Sequence, residues 1–196
     1  MLIRINDAIS YIECTPEPLS ADIGIIRRDK GIWLYDVGGD PRAVSELTGR
    51  YHVVLSHFHR DHVENLGKLH VEELYVSRET RRHVNGGTVV EEELAVDGLR
   101  IFRLPSSHAK GCLGLEVDGE YAFVGDGLYS KFRDGYYIFN AQLVKEEIEV
   151  LKGLTAPHLL VSHYKGLVRD RAEVIAELEE LYAGRSKDSA EIMVKA

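Results

Sequence analysis

Cysteine occurs only twice in this chain of 196 residues, as Cys14 and Cys112. Two thiols make no disulfide framework, which excludes the stapled secreted scaffolds and agrees with a reducing cytosol. No apolar run approaches the length needed to cross a bilayer. The amino terminus, Met1-Leu2-Ile3-Arg4-Ile5-Asn6-Asp7, puts charge and amide where a signal peptide needs an unbroken apolar stretch. A cytoplasmic location with no membrane partner is expected. Positive charge is in deficit: 24 Lys and Arg against 32 Asp and Glu, a net charge of −8. That disfavours nucleic acid as a partner. Glutamine occurs once, at Gln142, and asparagine is sparse, a compositional hint of a thermophilic source.

No linker, repeat or low-complexity segment interrupts the chain. One domain is expected over residues 1–184, long enough to bury well over half of its unfolded surface. Residues 185–196 read as a polar tail with one apolar patch, Ile192-Met193-Val194. Such a tail is either disordered or docked on a partner subunit, which leaves a homodimer open.

What the chain does have is one dense stretch, His57-Phe58-His59-Arg60-Asp61-His62. It follows the apolar run Val53-Val54-Leu55-Ser56, which reads as a buried strand, and precedes Val63-Glu64-Asn65-Leu66, which reads as the start of a helix. The stretch therefore sits at the carboxyl end of a strand, where open α/β sheets place their chemistry. In extended chain, residues i and i+2 point to the same side, so His57 and His59 can approach one ion together. Asp61 and His62 follow the turn into the helix and suit a second ion. Imidazole with carboxylate and no thiolate favours zinc, iron or manganese over a structural zinc-finger site.

The rest of the chain predicts a mixed α and β domain. Strands are expected over residues 2–5, 9–13, 22–28 and 32–35, the last two joined by a hairpin at Asp29-Lys30-Gly31. Thr15-Pro16-Glu17-Pro18 breaks the sheet and reads as a short loop over the metal face. Helices are expected over Pro41–Leu47, Arg78–His83, 142–152 and 170–183, with Gly184 the last cap. Further strands are expected over 72–76, 88–91, 99–104, 112–117, 121–124 and 158–161, with turns at Asn85-Gly86-Gly87 and Asp118-Gly119.

The hexapeptide resembles the His-x-His-x-Asp-His signature of the metallo-β-lactamase superfamily. In chain order, Leu34-Tyr35-Asp36-Val37-Gly38 resembles that family's first motif and Ser107-His108-Ala109-Lys110-Gly111 its third. Val124-Gly125-Asp126-Gly127 resembles the fourth and Val161-Ser162-His163-Tyr164 the fifth. The match runs from about Ile3 to about Tyr182. It implies an αββα sandwich of two mixed sheets flanked by helices. It also implies two divalent ions, zinc first with iron or manganese as alternatives. His57, His59 and His108 would hold the first ion, Asp61, His62 and His163 the second, and Asp126 would bridge them. Asp36 would brace the metal loops through hydrogen bonds, and Asp61 would orient the attacking water.

The implied activity is that of a hydrolase, a hydroxide between the ions cleaving a thioester, lactone or phosphodiester of a small-molecule substrate. Glyoxalase II is the nearest well-known small relative, but this chain has no room for the helical carboxy-terminal domain that binds glutathione. Flavodiiron-type members replace the second motif histidine with glutamate, and His59 argues against that branch. A mononuclear iron persulfide dioxygenase, a nuclease and a non-catalytic binding module are the rivals. Tyr129, Lys131, Arg133 and Tyr164 are candidates for the pocket wall; residues 127–141 either line the substrate or pack on the sandwich edge. His52, His70, His83 and His158 fall outside the motifs and are assigned ordinary surface or core roles, as is Cys112.

Overall fold

The computed structural model describes residues 1–196. The first half runs β1 (Leu2–Arg4), β2 (Ile9–Ile12), β3 (Thr15–Pro16), β4 (Leu19–Ser20), β5 (Ile23–Arg28), β6 (Gly31–Tyr35), β7 (Arg50–Val54), α1 (Arg60–Val63), β8 (His70–Val76) and β9 (Thr88–Val89). The second runs β10 (Glu93–Val96), β11 (Leu99–Leu104), β12 (Cys112–Val117), β13 (Tyr121–Gly125), β14 (Lys131–Arg133), β15 (Tyr136–Asn140), α2 (Ala141–Lys152), β16 (His158–Val161), β17 (Val168–Asp170), α3 (Arg171–Ala183) and β18 (Glu191–Lys195).

Two mixed sheets result, one from each half of the chain. The first has the order β1-β2-β5-β6-β7-β8-β9, antiparallel as far as β6 and parallel beyond it. The second has the order β10-β11-β12-β13-β16-β17, with β13 and β16 its parallel pair. Between them lies a core in which Ile26, Trp33, Tyr35 and Val54 of the first sheet meet Leu113, Leu115, Phe123 and Leu160 of the second. Strand alternation explains the division: β12 is buried on both faces, sending Leu113, Leu115 and Val117 to this core and Cys112 to the helical side.

α2 and α3 cover the outer face of the second sheet. Val144, Ile148 and Leu151 recur at helical spacing along α2 and, with Val174 and Leu178 of α3, pack on Leu104, Ala122, Val124 and Leu159. Each such side chain contributes roughly 1.5–3 kcal/mol by leaving water. Asn140 caps α2 by accepting from the Leu143 amide at 3.0 Å, and Asp170 caps α3 by accepting from Glu173 at 3.0 Å. Glu147 lies on the same buried stripe of α2, 2 % exposed, and its Oε1 has no hydrogen-bond partner.

The sandwich is the expected one, with one helical layer reduced. Pro41–Leu47 is not a helix: only a 3₁₀ turn forms over Pro41–Val44, because Asp40 takes the Arg42 amide at 2.9 Å and Ser45 closes the turn onto Arg42. Likewise Arg78–His83 is reduced to a 3₁₀ turn, Thr80–Arg82. The outer face of the first sheet (Ile25, Leu34, Val53, Leu55) is closed by Val44, Leu69 and neighbouring turns.

The tail corrects another expectation. β18 pairs antiparallel with β15, completing a small sheet β14-β15-β18, so this segment docks on its own chain. Ile192 is buried while Met193 and Val194 stay exposed. Ser189 accepts from the Glu191 amide at 3.0 Å and donates to the Glu191 carbonyl at 2.8 Å, which shortens the free edge of this strand. No helix is long and apolar enough to cross a membrane.

Candidate metal centre

In the first sheet β6, β7 and β8 run parallel and end at one edge of the sandwich; in the second, β13 and β16 end at that edge, as does β11, antiparallel to β12. The segments that follow these strands carry every motif residue. The two sheets are tied together here by backbone: Leu113 donates to the Ser56 carbonyl at 2.8 Å. Tyr35 adds a side-chain tie, donating to the Leu113 carbonyl at 2.7 Å. Gly125 makes the approach possible. Its φ is +54°, and a Cβ there would lie 2.8 Å from Ser56 Cβ.

The extended chain at His57 and His59 and the turn into α1 separate the hexapeptide as its spacing requires. Its side chains then meet those from the second sheet. His59 Nδ1 lies 2.9 Å from His108 Nε2, and His163 Nε2 lies 3.0 Å from Asp61 Oδ2. Asp126 Oδ2 sits between the two sets, 3.3 Å from His108 Nε2 and 3.4 Å from His62 Nε2. Three groups each bring their ligand atoms within 4.8 Å of one another: His57-His59-His108, His57-His62-Asp126 and Asp61-His62-His163. All seven expected ligands are brought together.

A divalent metal fits these residues on two counts. First, a tetrahedral ion with ligands at about 2.0–2.1 Å has ligand-to-ligand edges of roughly 3.3–3.4 Å, close to the spacings around Asp126. Second, His57 Nε2, His62 Nε2 and Asp126 Oδ1 are buried without a hydrogen-bond partner. Buried polar atoms are normally satisfied, and the three residues that carry these atoms form one of the ligand clusters.

Asp36 and Ser56 set the tautomers behind that arrangement. Asp36, fully buried with φ +59°, accepts from the Ser56 amide at 2.7 Å and from the Ser56 hydroxyl at 2.7 Å. The hydroxyl proton being committed to Asp36, Ser56 Oγ accepts from His57 Nδ1–H at 2.9 Å. Asp36 Oδ2 also accepts from His62 Nδ1–H at 2.8 Å. Both rings therefore carry a proton on Nδ1 and turn Nε2 toward the centre. Burial drives the His57, His59 and His108 imidazoles below their ordinary range, which keeps them neutral. Burial opposes charge on His62 and His163 as well, but Asp36 and Asp126 outweigh it for the first and Asp61 and Asp126 for the second, raising both. Burial likewise opposes ionisation of Asp61, yet its hydrogen bond from His163 and the charge of His62 bring it down to about 2. A dication would take the place of those two protons.

Asp22 and Ser56 were not singled out in the sequence. Asp22 is buried, accepts from the His163 amide at 2.9 Å and from the Ser162 hydroxyl at 3.3 Å, and so holds the His163 turn, whose φ is +60°. The available signal was an acid at the head of the apolar run Ile23–Ile26. The β3–β4 hairpin, expected as a loop over the metal face, reaches the site at Asp61, whose carbonyl accepts from the Ala21 amide at 2.9 Å.

The pocket candidates divide. Tyr129 is half-buried, its ring 6.4 Å from that of His108 and its hydroxyl donating to the Ser162 carbonyl at 2.8 Å. Lys131 and Arg133 stand exposed on β14, Arg133 with only distant partners at 3.9 and 4.0 Å. Tyr164 follows His163 but faces Arg169, 5.2 Å from its ring. His52 stacks on Trp33 at 4.8 Å, in keeping with a core role. His83 is exposed as expected, but it stacks on Phe58 inside the hexapeptide at 4.3 Å.

No protein-family model matches the sequence, and no curated protein matches it either. Solved structures do match in shape. The DIM-1 metallo-β-lactamase superposes with a TM-score of 0.70 at 12% identity, covering 95% of this chain and 98% of that one. A metallo-β-lactamase from Hirschia baltica gives 0.68 at 16% identity over 92% and 96% of the two chains. An archaeal metallo-β-lactamase superfamily protein from Sulfolobus tokodaii gives 0.58 at 18% over 91% and 87%. At such identities the likeness is one of architecture, and by architecture this chain is a metallo-β-lactamase-fold domain.

Proposed function

We propose that this protein is a metal-dependent hydrolase of the metallo-β-lactamase superfamily with a dinuclear centre. The observation that carries the reading is the set of three unpartnered buried atoms, His57 Nε2, His62 Nε2 and Asp126 Oδ1, within clusters of ligand type. His57, His59 and His108 would hold one ion, zinc by choice, and Asp61, His62 and His163 the other, with Asp126 between them. Two divalent ions there would supply Lewis acidity and lower the pKa of a water between them from about 16 toward 7.

The chain's own groups do the rest. Asp61 orients the attacking water and accepts its proton. Asp36, through Ser56 and directly, keeps His57 and His62 in the ligating tautomer. Tyr129 closes one side of the site over His108, and Lys131, Arg133 and Tyr164 rim the approach for a small-molecule substrate. The bond cleaved is ester-like: thioester, lactone or phosphodiester. No serine or cysteine nucleophile is called for, and Cys112 is buried with its thiol pushed up to about 12 by burial.

The test is elemental analysis of the purified protein, then a screen of those three substrate classes with zinc, manganese or iron restored. Two ions per chain and turnover of one class support the reading. A single iron with oxygen consumption on a persulfide would replace it by the dioxygenase alternative.

A further inference from the structure

His83 belongs to a segment assigned no role, residues 77–87, that follows β8. Because β8 lies beside β7 and runs parallel to it, this segment leaves the sheet at the same edge as the hexapeptide. The segment is firmly built. Thr80 donates its amide to Ser77 Oγ at 3.1 Å, Arg81 to the Ser77 carbonyl at 2.9 Å, and His83 to the Thr80 carbonyl at 2.9 Å. Its conformation lays the His83 imidazole flat on Phe58, at 4.3 Å and 15°. Phe58 in turn stands edge-on to His59, 5.2 Å away at 85°, and packs against the helical-side core.

A stacked ring on a rigid turn has little rotamer freedom left to lose, so it is prepared to bind. The stack leaves both ring nitrogens of His83 clear of any protein acceptor, in an exposed position one aromatic ring removed from a ligand of the centre. Charge along the segment is unlike that of the chain as a whole. Against a net charge of −8, residues 77–87 carry Arg78, Arg81 and Arg82 with one acid, Glu79. Arg78 is engaged by Glu91 at 2.7 Å, and Arg81 reaches only the Gly87 carbonyl, at 3.4 Å. An N–H donor in a locally cationic setting recognises oxyanions.

We propose that His83, held on Phe58, binds an anionic group at the non-reacting end of the substrate, a carboxylate or a phosphate; this rests on the hydrolase reading above. His83 is then a specificity residue, and the Phe58–His83 pair one wall of the substrate's path to the ions.

The experiment uses zinc-reconstituted protein and two esters that differ in one charge, p-nitrophenyl acetate and mono-p-nitrophenyl succinate. The quantity read is the ratio of kcat/KM for the succinate over the acetate. His83→Ala and His83→Phe should each lower that ratio about tenfold, through KM, with zinc content unchanged. A purely structural role lowers both esters alike and leaves the ratio intact, and His83→Phe, which keeps the stack, would then behave as the parent. Either result overturns the proposal. A second measurement needs no turnover: the His83 ring proton resonances are followed while glutarate or methyl phosphate is added. Selective shifts at His83, against the exposed His70 as control, support the proposal and show which anion is preferred; equal shifts at both overturn it. If the parent cleaves neither of these esters nor any thioester, lactone or phosphodiester, yet His83 responds to the anion, the hydrolase reading fails and the anion site stands.

Discussion

Asp36 accepts the Nδ1 proton of His62 at 2.8 Å, with both side chains almost wholly out of contact with solvent. A second branch of the same carboxylate runs through the Ser56 hydroxyl to His57. Asp36→Asn replaces an oxygen by a donor amide on at least one branch, so it should lower metal affinity about 10- to 100-fold. Ser56→Ala breaks the His57 branch alone and should weaken one ion selectively. Competition with a chelator, alongside circular dichroism to confirm folding, measures both.

Asp126 stands 3.3 Å from His108 and 3.4 Å from His62, whereas His163 approaches Asp61 at 3.0 Å. Asp126→Ala should therefore strip both ions, and His163→Ala should leave one tight ion per chain. Elemental analysis after gel filtration reads the stoichiometry. Identical losses in the two variants would contradict a bridging role.

Glu147 is buried without a partner for Oε1, and burial holds its carboxyl well above the ordinary range. The folded chain thus keeps a proton that the unfolded chain has released. Its contribution to stability is full below the unfolded value near 4.5 and is lost as pH rises from there through the raised folded value. Glu147→Gln should melt with the parent at pH 5 and above it at pH 9. A gain of about 1–3 kcal/mol, or roughly 2–4 °C for each kcal/mol, is expected in thermal melts. A variant that follows the parent at both pH values would refute this.

Cys112 packs among apolar side chains and Cys14 is half-buried, their thiols pushed up to about 12 and about 11, chiefly by burial. Iodoacetamide at pH 8 should label neither appreciably in the folded protein and both after unfolding. Cys112→Ala should keep metal content and most of the activity, at a cost on the order of 1 kcal/mol in stability. Rapid native labelling of Cys112 would reopen a role for it in catalysis.

The long strands and the hexapeptide were legible because both are written in short-range patterns, whereas the sandwich and the ligands beyond the hexapeptide followed from the resemblance of the motifs in chain order. Alternating apolar residues announce the long strands, and histidines two apart at a strand end announce their common direction. What escaped depends on partners distant in sequence. β18 is a strand because β15 is there to receive it, and its own residues, Glu-Ile-Met-Val-Lys, are too few to announce one. β10, β15 and β17 are short pieces of the same kind. Pro41–Leu47 has a helical composition, but Asp40 draws the chain into a turn that ends within four residues. Ser56 could not be assigned its part, since that part exists only when residues 36, 56, 57 and 62 meet. His83 was discounted for lying outside the motifs, and only the β7–β8 pairing brings it to Phe58.

The boundary between the sheets falls at one point in the chain, between β9 and β10. His57, His59, Asp61 and His62 lie before it and His108, Asp126 and His163 after it, so neither side of a cut at Glu91 owns a complete coordination shell. Two such fragments would meet across the apolar core and be clasped by the ions at one end. Their reassembly would then answer to metal concentration, which makes this fold a natural template for a split, metal-gated reporter.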